Sequence, residues 1–453
     1  MAKSRTYFYC RECGYQSSSW LGKCPACGQW NTFDEEVVQR SATTGAKKSV
    51  SKTSQPKLLQ QVVYSETQRM PTRCAEFDRV LGGGIVPGSL LLLGGEPGIG
   101  KSTLLLQTAM AIPDRKILYV SGEESEEQIK MRAERIGEAQ GELYVVSETA
   151  MERIFEHVAG VEPDLLIVDS IQTVSTEAIE SGAGSLSQIR ECTTQFQRYA
   201  KENGVPVLLV GHITKDGTLA GPKVMEHIVD AVLQFEGDRN YGFRILRVLK
   251  NRFGSTAELG IFEMRGNGLC EVPNPSELLL SHRDEELSGA AVAATLEGAR
   301  PMFVEAQSLV STAVYGTPQR NANGFDMRRM NMLLAVLEKR CGFKLGAKDV
   351  FLNMAGGIRV NDPATDLAVA CSILSSNVDM PISPRICFAA ELGLSGELRP
   401  VSRVEQRISE ADRLGFERIF VSKYDAKSVD RKRYKINIVT VSVIEEAFRE
   451  LFS

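Results

Sequence analysis

The most regular hydrophobic pattern runs from about residue 75 to residue 272. Short apolar runs recur there: SLLLLGG (89–95), KILYVSG (116–122), LLIVDS (165–170) and PVLLVGH (206–212). They are apolar nearly throughout rather than alternating, as strands buried on both faces are. The segments between them, including 101–112, 124–136 and 186–202, are long enough for helices. This alternation predicts a mostly parallel sheet covered on both sides. After PVLLVGH the rhythm changes, and AVLQFEG, FRILRVLKN, AELGIFEM and LCEV follow as consecutive strands. Such a β-rich tail predicts antiparallel strands added at one sheet edge. PNPSELLLSHRDE (273–285) marks a boundary, and residues 286–453 carry a second α/β pattern. Its strands fall near MFVEAQSLVS, VFLNMAG, ICFAAELG and RIFVS, and its helices near 326–341, 363–376 and 403–414.

The N-terminal end has no such periodicity. Residues 7–34 hold a compact cysteine cluster, and 35–60 read as a flexible basic linker. The stretch VVQRSATTGAKKSVSKTSQPKLLQ contains no acid and too little apolar surface for a core. With 453 residues, 43% hydrophobic and 24% charged, the chain suits a soluble protein of two or three domains. A net charge of −4 excludes a global positive field, so contact with nucleic acid must use local basic patches. No apolar run approaches the ~18 residues of a membrane span, and MAKSRTYFYCREC lacks a secretory apolar core. A cytoplasmic protein without membrane contact is expected.

Three motifs carry chemistry. Cys10, Cys13, Cys24 and Cys27 form two C-x-x-C pairs, each followed by glycine. Four thiolates in that spacing suit a closed, structural Zn2+ site with bonds of about 2.3 Å. Trp20 and Trp30 flank the second pair, either as packing or as a face for a partner. The other six cysteines are scattered singly and read as small core residues.

Gly95-Glu96-Pro97-Gly98-Ile99-Gly100-Lys101-Ser102, followed by Thr103, is a complete phosphate loop between a strand and a helix. Its backbone N–H groups would wrap the β-phosphate of ATP, Lys101 would reach the β- and γ-oxygens, and Ser102 would ligate Mg2+. Asp169 ends the apolar strand LLIVD and is expected to hold a Mg2+-bound water. Glu123 and Glu124 follow the strand KILYVSG, at the carboxyl edge where open α/β sheets place ligands. Only one of two adjacent residues can face the γ-phosphate as base; Glu123 is the choice, and Glu124 would cap the next helix. His212 follows a strand too, as a γ-phosphate sensor or as a structural histidine.

Together CRECG…CPACG, GGEPGIGKST, YVSGEES, LLIVDS and KNRFG (250–254) resemble the bacterial RadA/Sms DNA-repair proteins over nearly the whole chain. The resemblance implies an α/β chain with a RecA-like P-loop ATPase core at 61–272. It also implies an N-terminal tetra-Cys zinc element and a Lon-protease-like α/β domain at 286–453. The implied activity is that of a DNA-dependent ATPase and helicase, an ATP-driven, hexameric ring motor. It would act on single-stranded and branched DNA and promote branch migration with the recombinase RecA. DNA-facing loops would lie near 175–187 and 213–226, both rich in Gly, Ser, Thr and polar residues as flexible backbone-binding loops should be, with Arg190, Lys215 and Lys223 as contacts.

Two further expectations depend on that likeness. A Lon-type site needs a serine and a lysine; the matching positions here hold Thr365 and the stretch Ser402-Arg403-Val404-Glu405, with no lysine base. The domain is therefore expected to be proteolytically inactive, and the basic run Arg431–Lys435 a possible contact surface or a solvated face. In VLKNRFG, Lys250 and Arg252 share a strand face and are expected to enter a neighbouring subunit's nucleotide site, with Asn251 pointing away.

Overall fold

The computed structural model describes residues 5–10, 15–26, 28–38, 58, 60, 69–212, 222–237, 243–274, 276, 280, 287–313, 317–357, 359–425 and 429–452. The chain divides into two compact units, Met1–Val272 and Pro273–Ser453.

At the N-terminus, strand Arg5–Cys10 pairs antiparallel with Gln16–Ser17 on one side and Phe33–Val38 on the other. Each residue from Asp34 to Val38 faces one of Arg5 to Tyr9, so strand pairing runs beyond residue 34. The linker expected from residue 35 therefore cannot begin before 39, because those residues complete the ladder. Its remainder, apart from Leu58 and Gln60, lies outside the described residues.

The ATPase sheet has nine strands, in the order Gly268–Glu271, Leu259–Arg265, Phe243–Asn251, Ala231–Glu236, Leu90–Gly95, Val207–His212, Leu165–Asp169, Lys116–Ser121 and Glu142–Ser147. The six from Ala231–Glu236 to Glu142–Ser147 are parallel, and the three from Phe243 to Glu271 join as an antiparallel edge. Both faces are covered. Leu91, Leu93, Leu165 and Ile167 enter one buried cluster, while Leu90, Leu92, Leu166 and Val168 enter the other. That double burial is why these strands read as unbroken apolar runs. The strand Glu142–Ser147 and the helix Met151–Val161 were not singled out from the sequence. As an edge strand it is only partly buried, so its apolar signal is weak.

The second unit has a seven-stranded mixed sheet, ordered Arg320–Asn323, Lys348–Met354, Arg300–Thr312, Ala290–Glu297, Ile386–Ala389, Arg418–Ser422 and Asn437–Val441. The helix Asp366–Val378 is buried from Asp366 to Ser375 and packs on Arg300–Thr312 and Ala290–Glu297. Thr365 sits just before it with no exposed surface, its hydroxyl donating to the Asp362 carbonyl at 2.8 Å. Arg407, equally buried, donates from Nη1 to Asp362 Oδ2 at 2.6 Å and to the Ala294 carbonyl at 2.6 Å. The threonine is thus a packed turn residue rather than an accessible nucleophile.

Candidate nucleotide site

The phosphate loop joins the buried strand Leu90–Gly95 to the helix Lys101–Ala111. Gly100 caps that helix at φ 120°, where a side chain would also meet Met264 Cε at 2.9 Å. Glycine is therefore required at this position, and the helix begins with its first N–H groups aimed into the loop. Lys101 is 3% exposed, and its Nζ donates to the carbonyls of Gly95 (2.8 Å) and Glu96 (2.9 Å). Burial lowers its pKa, against the pull of Asp169, Glu123 and Glu96. A buried ammonium, held only by loop carbonyls, at a helix N-terminus, is a fitting partner for a polyphosphate.

Asp169 ends its strand beside Ser121 of the neighbouring strand. Its Oδ2 accepts a hydrogen bond from the Tyr119 hydroxyl at 2.7 Å. Among the described residues its other oxygen takes no donor, so it is available to a hydrated cation. The chain passes from Lys116–Ser121 into Glu123 through Gly122, whose N–H bonds to the Asp169 carbonyl at 2.8 Å. A side chain at Gly122 would strike Thr173 Oγ1 at 1.9 Å, so these two strand ends approach only with glycine there.

The geometry separates the two candidate bases. Glu123 Oε1 accepts from Ser170 Oγ at 2.6 Å and lies 2.9 Å from His212 Nε2. Burial pushes its carboxyl pKa up, but the Ser170 and His212 bonds, with Lys101 nearby, outweigh that and leave it below the ordinary value. Glu123 is thus held as a carboxylate facing Lys101. Glu124 is instead paired with Arg132 of the helix Glu126–Ile136. That helix is capped by Ser125 in a reciprocal capping box with Gln128, not by Glu124 as the sequence suggested. His212 does touch the site, and its Nδ1 is buried with no hydrogen-bond partner among the described residues.

The Lys250–Gly254 tip lies elsewhere. Asn251 pairs with Ala231, and Ala231 pairs with Leu91, at the amino end of the strand that carries the phosphate loop at its carboxyl end. Four residues separate Leu91 from Gly95, or about 13 Å along a strand. Lys250 Nζ donates to the Val229 carbonyl at 2.8 Å and also to that of Glu226. Arg252 Nη1 donates to Asp230 Oδ1 at 3.2 Å, while Lys201 holds Oδ2 at 2.6 Å. Asn251 turns to the other side and donates to the Val80 carbonyl at 3.3 Å. The Phe253 ring lies under Lys201, 5.8 Å from its Nζ, and the Phe253 carbonyl accepts from Arg69 at 2.8 Å. Sequence reasoning missed Asp230; an Asp closing an apolar stretch just before a strand was the available signal.

Among the expected DNA contacts, Arg190 is exposed on the helix Leu186–Asn203. Lys223 lies on the helix Pro222–Ile228, and Lys215 lies outside the described residues. The loop ahead of Arg190 was expected to be flexible, but it is wrapped around one side chain. Gln188, 1% exposed, donates to the carbonyls of Thr176, Ile179 and Ser181 at 2.8–3.0 Å and accepts from Thr176 N at 2.9 Å.

Cys10 and Cys24 meet in a small buried cluster with Phe33. Cys24 also closes a turn, accepting from Gly28 N at 2.9 Å. Two buried thiols from separate turns fit half of a tetrahedral zinc set; Cys13 and Cys27 lie outside the described residues.

Comparisons with known proteins agree with this layout. Residues 59–218 match the family described as AAA domain, 8–35 the rubredoxin metal binding domain, and 305–425 subunit ChlI of Mg-chelatase. The DNA repair protein RadA of Streptococcus pyogenes serotype M6 is 47% identical over 454 residues, covering all of both chains. That of Bacillus subtilis is 48% identical, covering 99% of both. Among solved structures, a KaiC-like protein of Pyrococcus horikoshii is similar over 46% of this chain and 99% of its own. At 20% identity and a TM-score of 0.37, that likeness is too loose to bear on the site. The fold class is the expected one, an α/β P-loop ATPase core with an N-terminal zinc ribbon and a C-terminal Lon-like domain.

Proposed function

The chain belongs to the DNA repair protein RadA family, and from that premise we propose that it is a DNA-dependent ATPase working as a helicase-type motor. A role in DNA repair and an ATPase domain come with the family. The finer reading is ours: a cytoplasmic hexameric ring that moves on single-stranded and branched DNA, and drives branch migration with RecA.

One observation carries it. Lys250 and Arg252 sit at the amino edge of the sheet and the phosphate loop at the carboxyl edge of the same strand layer. An arginine cannot span that separation, so these cations could meet only the nucleotide of another copy. A site completed across an interface couples ATP turnover to assembly, as a ring motor requires.

In this reading the N–H groups of Gly95–Ser102 and Thr103, with Lys101, hold the phosphates of ATP. Ser102 and Asp169 would hold Mg2+, which when bound supplies charge neutralisation between the β- and γ-phosphates. Glu123 orients the attacking water and receives its proton, and Ser170 and His212 fix the carboxylate in place. Lys250 and Arg252 of an adjacent copy meet the charge that develops during transfer. Cys10, Cys13, Cys24 and Cys27 would hold Zn2+ as a structural clamp, and Arg190, Lys215 and Lys223 would contact the DNA backbone. The closed burial of Thr365 gives no support to an ATP-dependent protease.

The test is strand displacement and branch migration on forked DNA, with ATP turnover followed with and without single-stranded DNA. ATP-dependent displacement and DNA-stimulated turnover are expected. Turnover indifferent to DNA, with no displacement, would leave a non-translocating ATPase instead.

A further inference from the structure

The hydrogen bond beneath Asp169 is not explained by packing. Tyr119 belongs to the strand Lys116–Ser121, is 1% exposed, and lies within the apolar cluster on one face of the sheet. In register it pairs with Ile167, while Ser121, two residues on, pairs with Asp169. Tyr119 and Ser121 therefore share a face, and Tyr119 is a diagonal neighbour of Asp169, within reach of a long aromatic side chain. A phenylalanine would fill the same volume. The phenol adds a buried donor, which must find an acceptor, and its partner is the Asp169 carboxylate at 2.7 Å.

The consequences fall on the carboxylate. Oδ2 is held by a donor from within the core, which fixes the orientation of the carboxylate, while Oδ1 accepts from no donor among the described residues. A donor also withdraws charge from the carboxylate, which favours a water-mediated over a direct contact with a small, firmly hydrated cation. The phenol is the donor of this bond and the carboxylate its acceptor, at a position closed to solvent.

We propose that Tyr119 is a positioning residue for the metal-holding carboxylate, acting from the core through Asp169 on the Mg2+-dependent part of nucleotide binding. This deepens the nucleotide-site reading and rests on it. It predicts a split that a packing role would not give, because the phenol's hydrogen bond goes to Asp169 and, among the described residues, to no atom of the phosphate loop.

The experiment titrates a fluorescent ADP analogue into the full chain, with Mg2+ and with a chelator, for wild type and Tyr119→Phe. The chelated affinities should agree within about twofold, while the tightening produced by Mg2+ should shrink about tenfold in the variant, the low end for a bond to a charged group. The Mg2+ concentration for half-maximal ATP turnover should rise in parallel. In an Asp169→Asn background, Tyr119→Phe should change neither quantity further. An undiminished Mg2+ increment in Tyr119→Phe overturns the proposal. So does an equal loss with and without Mg2+, or a further loss in the Asp169→Asn background. Absence of any nucleotide binding by wild type would instead refute the nucleotide site itself.

Discussion

Removing the Arg252 guanidinium tests whether the site is shared between subunits. The side chain is 51% exposed, and its bond to Asp230 is one of three on that carboxylate. Lys201 at 2.6 Å and Leu90 N at 3.0 Å remain on Oδ2 after Arg252→Ala, so Asp230 keeps two of its three donors. Asp230 is buried, so the lost bond to Oδ1 should cost about 1–3 kcal/mol, an effect that sedimentation of the variant checks. Lys250 is a poorer choice, because its Nζ closes two carbonyls at the end of the helix Pro222–Ile228. Loss of a finger acting in trans should lower turnover about 10³–10⁵-fold. Lys101→Ala should be equally inactive, since it removes the one buried cation of the phosphate loop.

Mixing the two inactive proteins then gives a number. An interface works when the loop comes from an Arg252→Ala copy and the tip from a Lys101→Ala copy. In a random equal mixture about one interface in four meets both conditions, so turnover should recover to about a quarter of wild type. The assay is steady-state phosphate release across mixing ratios, with sedimentation showing that each variant assembles as wild type does. Recovery should peak at equal amounts and vanish at either extreme. If assembled mixtures stay inactive at every ratio, the tip does not act on a neighbour's nucleotide.

Four other outcomes follow from particular contacts. Glu123 lies below its ordinary pKa, so turnover should hold as pH falls and fail only when the carboxylate protonates; Ser170→Ala removes one bond that lowers it, and the acid limb of its pH–rate profile should move to higher pH. Gln188→Leu removes the centre of the 176–185 loop, and should abolish DNA stimulation of turnover while basal turnover stays within about twofold of wild type. Arg407→Ala removes a fully buried guanidinium with its bonds to Asp362, Ala294 and Ser402, while Asp362 keeps Leu296 N and Ala364 N as donors, and should cost about 2–4 kcal/mol of C-terminal-unit stability in urea titration. Thr365→Ala should leave turnover unchanged, and neither it nor wild type should digest casein.

Much of the fold was legible because its strands are buried on both faces. SLLLLGG, KILYVSG, LLIVDS and PVLLVGH announce themselves as apolar blocks, and each observed strand is shorter than its block by one residue at an end. What stayed hidden was the partly buried material. Glu142–Ser147 mixes exposed and half-buried positions, and the helix Ala75–Leu81 is too short for periodicity to mark. The 175–187 loop misled for a different reason. Its glycines and serines suggest mobility, yet a single glutamine one turn into the next helix supplies the bonds that fix it. No composition reports that, since it depends on a side chain folding back across a dozen residues.

The position of KNRFG was within reach of sequence reasoning, through strand direction alone. Ala231–Glu236 runs parallel to the phosphate-loop strand, so it climbs towards the nucleotide edge. The next strand, Phe243–Asn251, pairs antiparallel with it and must descend. Whatever ends that strand arrives at the opposite edge from its own phosphate loop. A hairpin therefore excludes an action within the subunit before any side chain is placed, and leaves two possibilities: a structural clamp or a contact with another copy. Both are visible in the same residues. Asp230 and the helix carbonyls clamp the tip, and the half-exposed guanidinium of Arg252 is the part left over. A clamp alone would need Lys250 and Asn251, whose partners are backbone carbonyls, more than an arginine whose removal still leaves Asp230 two donors on Oδ2. Arg252 is thus the residue on which the clamp and the interface make opposite predictions.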